Sequence, residues 1–153
     1  MAIIRPGALR DPQVLDLLST HLAGMHASSP PGSVHALDLA GLEAPGMAFW
    51  TAWEGPALLG CAALKELGPT AGEIKSMRTA TAHLRKGVAT LLLQHVIAVA
   101  RSRGYRRLCL ETGSGPAFEP ALALYRRHGF LDGPAFGNYQ ATAFNQFLHL
   151  DLT

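Results

Sequence analysis

The stretch Leu84-Arg85-Lys86-Gly87-Val88-Ala89, with the helix it opens, constrains this chain more than any other segment. An extended run, Glu73 to Arg78, leads into it through a short turn, Thr79 to His83. Val88, Leu91, Leu92, His95, Val96 and Val99 then recur at spacings of three and four, which predicts a helix from about Gly87 to Arg103. A strand, a basic glycine-containing turn and a helix start, in that order, suit an anion. The first turn of a helix leaves backbone N–H groups without intrahelical partners, and the helix dipole is positive there. Gly87 carries no side chain to keep an anion from those groups, and Arg85 and Lys86 add positive charge beside them. The bland alternative is an ordinary turn before an amphipathic helix.

Charge supports a small phosphorylated ligand over a polymer. The net charge of +2 is too small to argue for a nucleic-acid binder. Between Glu73 and Arg107, however, there are eight Lys or Arg residues and one acid, Glu73. A weak nucleic-acid contact is the duller reading of that strip. Hydrophobic content of 48% with 16% charged residues is that of a globular chain, and 153 residues suffice for one domain, 1–153, with a real core. Cys61 and Cys109 sit in apolar strand-like runs and read as buried free thiols. The histidines form no metal-ligand spacing, so no metal is expected. No signal-peptide pattern and no membrane-length apolar run occur, so the expected location is cytoplasmic, with no membrane partner.

Taken in order, the chain predicts a strand at Ala2–Arg5 and a helix capped by Asp11, with Pro12 first, to about His26. After Ser28-Ser29-Pro30-Pro31-Gly32, a shorter helix is expected with Ser33 as its cap. Met47–Trp53 and Leu58–Glu66 read as a hairpin, and Glu73–Arg78 as the third strand of a meander. A strand at Arg107–Glu111 follows the long helix, then a helix at about Ala117–His128, a short extended piece near Phe130 and a last strand, roughly Gln146–Leu152. The order β-α-α-β-β-β-α-β-α-β describes a single α/β domain with a mixed sheet. It is largely antiparallel, with a central parallel pair formed by the Glu73 and Arg107 strands. The anion turn lies at the carboxyl end of the Glu73 strand, where open α/β sheets bind ligands.

Two motifs in this setting carry a resemblance. The turn Arg85-Lys86-Gly87-Val88-Ala89 and the helix end Ala121-Leu122-Ala123-Leu124-Tyr125-Arg126-Arg127-His128-Gly129-Phe130 resemble the GNAT-type N-acetyltransferases over about 70–130. The resemblance implies acetyl-CoA as co-substrate. Its pyrophosphate would be held by backbone N–H groups of Arg85, Lys86, Gly87, Val88, Ala89 and Thr90. Leu84 stands where the family usually has Arg or Gln, and Phe118 where many relatives carry Asn. The strand ahead of the turn is implied to leave main-chain groups of Met77, Arg78 and Thr79 free for the pantetheine arm.

Tyr125 matches the tyrosine that family members use to protonate the departing thiolate. An aromatic packing role is the alternative. Glu73, fourteen residues before Gly87, lies at the spacing where histone-acetylating relatives place a glutamate base. A solvent-facing residue, or a partner for Lys75, is as consistent with its position, and Glu111 is another candidate base. The expected acceptor is a primary amine of a small molecule or amino acid, attacked directly in a ternary complex. His26 and His35 flank the loop that borders the acceptor site in this fold. The rival readings are a CoA-binding module without catalysis and a basic nucleic-acid-interacting protein. Many relatives are dimers, and the surface and tail, with Phe144 and Phe147, permit a homodimer.

Overall fold

The computed structural model describes residues Met1–Thr153. Strand β1 (Ile3–Pro6) is followed by helices α1 (Pro12–Ser28) and α2 (Leu39–Leu42), then by strands β2 (Met47–Glu54), β3 (Ala57–Glu66) and β4 (Ala71–Thr79). Helix α3 (Val88–Ser102), strand β5 (Arg107–Thr112), helix α4 (Glu119–Arg127) and strands β6 (Leu131–Asp132) and β7 (Gln146–Asp151) complete the chain. The strands form one sheet in the order β1-β2-β3-β4-β5-β7-β6. Every pairing is antiparallel except β4 with β5, as the crossover through α3 predicts. The expected α/β domain with one central parallel pair is thus the observed fold. No helix is long and apolar enough to cross a membrane.

Helices cover both faces of the sheet. On one face Val14, Leu17 and Leu18 of α1 and Leu42 of α2 pack against Phe49, Trp53, Leu58, Cys61 and Ala63. On the other, Leu92, Leu93 and Val96 of α3 and Leu122 and Tyr125 of α4 pack against Trp50, Leu64, Ile74, Leu108 and Leu110. The loop between β6 and β7 returns to the α1 face, where Phe136 and Phe147 bury Cys109. Phe147 is buried there, and Phe144, half-buried, packs edge-on against Phe118.

Asp11 caps α1 as expected, accepting from the Gln13 N–H at 2.8 Å. The Gln13 side chain then ties the helix to the β2–β3 hairpin, donating to the Pro56 carbonyl at 2.9 Å and accepting from the Leu58 N–H at 3.1 Å. Helix α2 is shorter than predicted and its cap is Asp38, not Ser33. The Asp38 carboxylate accepts from the Gly41 N–H at 2.9 Å, whereas the Ser33 N–H is taken by the Pro30 carbonyl in a turn. In α3 the buried stripe is Val88, Leu92, Leu93, Val96, Ile97 and Ala100, with Leu91, His95 and Val99 half-buried on its flank. Apolar residues on both flanks make two overlapping stripes equally periodic, and packing against the sheet selects one. The predicted helix at Ala117 begins as a 3-10 turn, Pro116–Phe118, and becomes α-helical only at Glu119, because Pro116 and Pro120 each lack an N–H.

Candidate active site

The site is a gap in the sheet. Strands β4 and β5 pair over only Ala71↔Arg107, Gly72↔Leu108 and Glu73↔Cys109. Beyond Glu73 they part. β4 stays with β3 as far as Thr79, and β5 stays with β7 as far as Thr112. The slot between them opens into a cavity of about 610 Å³ that reaches both faces of the sheet. A bulge sharpens the divergence. The β3–β4 register shifts between Cys61 and Ala63, and Ser76 opposite it has φ +51°, a left-handed conformation uncommon for a residue with a Cβ. The Cys61 thiol donates to the Ser76 carbonyl at 3.3 Å and holds the bulge. Met77, Arg78 and Thr79 all line the cavity on the β4 side.

The turn after β4 closes one end of the slot. A 3-10 turn, Thr81–His83, leads to Leu84, which is exposed, and then to Arg85 at φ +62° and Gly87 at φ +82°. A Cβ at Gly87 would meet no protein atom, so glycine serves here for its left-handed backbone and for clearance on the solvent side. Leu91 is the first residue whose N–H bonds back into the helix, to the Gly87 carbonyl at 3.0 Å. None of the N–H groups from Arg85 to Thr90 donates to a protein acceptor. Six consecutive free donors lie at the positive end of a fifteen-residue helix, with Arg85 and Lys86 beside them, an arrangement that suits an anion.

Across the slot, Tyr125 projects from α4. Its ring is buried edge-on against Phe130, and its hydroxyl donates to the Met77 sulfur at 3.8 Å, joining α4 to β4 where the strands part. Burial pushes the phenol up to about 12, so it remains a proton donor through the neutral range. The packing role is observed, and the hydroxyl lies on the wall of the slot. Phe118 is buried against Phe144, and the Ser114 hydroxyl is spent on the Phe144 carbonyl at 2.7 Å.

The other end of the cavity gathers charges. Glu73 is only 2% exposed, which rules out the solvent-facing reading. Its Oε2 accepts from the Tyr139 hydroxyl at 2.5 Å and from Lys75 Nζ at 3.4 Å, and the same lysine donates to the Tyr139 oxygen at 2.7 Å. Burial and the Glu73 carboxylate hold the Tyr139 phenol well above its ordinary range. Glu111 lies at the end of β5, with His35 Nε2 at 3.9 Å from its Oε2. Burial raises the Glu111 carboxyl above its ordinary value, against the downward pull of His35, Lys75 and Asn145. His35 meets Tyr139 edge-on at 5.1 Å, so the α1–α2 loop and the β6–β7 loop join over this end. The hairpin aromatics Phe49, Trp50 and Trp53 do not reach the cavity; they are buried in the two cores. His26 does not line it either, and His35 does.

Sequence reasoning missed Tyr139, and with it the network that holds Glu73. Tyr139 lies 66 residues away in a loop without periodicity, so nothing local signals the contact. Lys75 and Glu73, two apart on a strand, do share a face, and that spacing was the available clue.

The site is thus a sheet split beside a helix N-terminus with free N–H groups, with a buried phenol across the split. Residues 14–130 match the Acetyltransferase (GNAT) family. The chain is 55% identical over 127 residues to the uncharacterized N-acetyltransferase YsnE of Bacillus subtilis, covering 83% of this chain and 84% of the relative. It is 45% identical over 152 residues to the uncharacterized N-acetyltransferase YedL of Escherichia coli, covering 99% and 96%. The fold is shared with a GNAT family acetyltransferase from Elizabethkingia anophelis solved with acetyl-CoA bound, at 21% identity and a TM-score of 0.71, over 98% and 97% of the two chains. The chain belongs to the GNAT acetyltransferase family and is an acyl-CoA-dependent N-acetyltransferase.

Proposed function

We propose that the chain moves an acetyl group from acetyl-CoA to a primary amine of a small molecule or amino acid, by direct attack within a ternary complex. The observation that carries this reading is the slot between β4 and β5, with the Tyr125 hydroxyl facing Met77 across it. The free N–H groups of Arg85 to Thr90 would hold the pyrophosphate, and main-chain groups of Met77, Arg78 and Thr79, where β4 no longer pairs with β5, the pantetheine arm. A main-chain N–H near Met77–Arg78 would polarise the thioester carbonyl. Tyr125, uncharged and buried, would return a proton to sulfur as the carbon–sulfur bond breaks.

Direct attack is favoured by the state of the cysteines. Acetyl transfer through the enzyme would need a nucleophile, and both thiols are buried and pushed up to about 12 by that burial. The incoming ammonium must lose a proton before it attacks. Glu73 is the base in this reading, acting directly or through water. Its hydrogen bonds all go to Oε2, so Oε1 is the oxygen left for substrate. One observation favours Glu111 instead: it has no cation within hydrogen-bonding distance, and burial places its carboxyl nearer the working range.

The test is a thiol-release screen with acetyl-CoA and a panel of primary amines. At least one amine is expected to release free CoA in proportion to acetylated product. Tight CoA binding with no release from any amine would instead make the chain a silent CoA-binding module.

A further inference from the structure

Arg78 does something that its main-chain role does not need. Its side chain runs to the α1 face of the sheet, and the guanidinium lies over α1 at Gly24. A Cβ placed on Gly24 would stand 3.3 Å from Nη1 and 3.4 Å from Nη2, so the glycine makes the room. The guanidinium is half-buried, yet no carboxylate lies within ion-pair distance, and it donates no hydrogen bond to the protein. Two further groups on the same cavity wall are unsatisfied. His21 Nδ1 and Ser76 Oγ are both buried without a hydrogen-bond partner, and each residue is only 8% exposed. Unpaired buried polar groups are uncommon, and two of them lie here beside a half-buried guanidinium that has no partner of its own, which points to a ligand on this wall.

We propose that this wall is a carboxylate subsite, in which the Arg78 guanidinium, flanked by His21 and Ser76, binds the acidic group of an acceptor that carries both an amine and a carboxylate. The inference rests on the transferase reading and names its substrate class. A planar guanidinium fork matches a carboxylate, and its single charge balances one. The phosphate-binding part of the cavity is elsewhere, at the start of α3. Burial, with Arg78 adding to it, lowers the His21 imidazole to about 4, so it is neutral at working pH and able to donate one hydrogen bond. The Ser76 hydroxyl supplies another. At the far end of the cavity Glu73 and Glu111 provide the complementary negative charge for the amine. The acceptor wall is therefore polarised along β4, positive at Arg78 and negative toward Glu73.

The test uses the full chain with a series of α- and ω-amino acids of increasing length, each paired with its carboxamide. Binding to the protein saturated with CoA is measured by calorimetry, and thiol release from acetyl-CoA is followed in parallel. The best acid should bind at least tenfold more tightly than its amide. Arg78→Gln, which changes the side chain and keeps the main-chain groups assigned to the pantetheine arm, should erase that preference. Gly24→Ala keeps the charge but crowds the guanidinium, and should weaken the acid by a smaller factor in the same direction. The inference is overturned if no acid binds, if acids and amides bind alike, or if Arg78→Gln weakens acetyl-CoA instead of the acid. Arg78-dependent acid binding without thiol release from any member would keep the subsite and remove the transferase reading.

Discussion

The two ends of the cavity are built in different ways. The end formed by the β4–α3 turn presents backbone: consecutive N–H groups from Arg85 to Thr90, with left-handed residues at Arg85 and Gly87 shaping the turn. The end beneath α1 and the two long loops presents side chains: Glu73, Lys75, Glu111, His35 and Tyr139, drawn from four separate segments. A backbone cradle depends on local conformation and tolerates side-chain change, as the exposed Leu84 illustrates. A side-chain cluster depends on which residues arrive together, and one substitution alters what it binds. In the proposed function the first end takes the acetyl donor, which every acceptor shares, and the second recognises the acceptor.

Variants should separate the two ends. The largest effect is expected at their junction. Tyr125→Phe keeps the ring that packs on Phe130 and removes the hydroxyl, so kcat should fall by about 10²–10⁴-fold for every acceptor, with little change in Tm. An unchanged rate would remove Tyr125 as the acid.

His21 should show the acceptor wall in stability. Its folded pKa is depressed to about 4 from 6.5, so the unfolded chain takes up the proton first. The folded protein should therefore lose stability as pH falls from about 6.5 to 4, by on the order of 3 kcal/mol in total. His21→Gln should flatten that part of a denaturation-versus-pH series, and an equal slope in both proteins would contradict the burial of a neutral imidazole.

Gly87→Val forces a β-branched residue to φ +82°. It should raise KM for acetyl-CoA by about tenfold, since strain of ~1–3 kcal/mol reshapes the cradle. The acceptor KM should not move. A smaller effect, on the shape of the pH profile, separates the two candidate bases. A carboxyl raised by burial works as a base only above its shifted pKa, so kcat/KM should fall as pH drops through a limb lying above 4.5. Glu111→Gln removes that limb if Glu111 is the base and leaves it in place if Glu73 is.

The contrast between the ends also explains what the sequence made legible. The cradle, the strand before it and the Tyr125 helix are continuous segments with local signals: a glycine turn, a helical period, a fixed spacing. They could be read without tertiary knowledge, as could the parallel pairing imposed by a helical crossover. Which stripe of α3 faces the sheet could not, because Leu91 and Leu93 are equally apolar. Nor could the network at Glu73, since Tyr139 reaches it from a loop held by tertiary contacts, among them those with Phe147 and His35. The unpaired guanidinium of Arg78 was hidden for a related reason. A basic residue on a strand looks like surface charge until a helix glycine is found beneath it.

The central claim is that the acetyl group passes directly from donor to amine, without resting on the protein. Mixing the enzyme with a small excess of acetyl-CoA in the absence of any amine, and following free thiol on the millisecond-to-second scale, tests it most directly. The account predicts no release until an amine is added, because Cys61 and Cys109 are buried and held as thiols. Release of one equivalent of CoA per enzyme before the amine arrives, with the acetyl group retained on the chain, would contradict it.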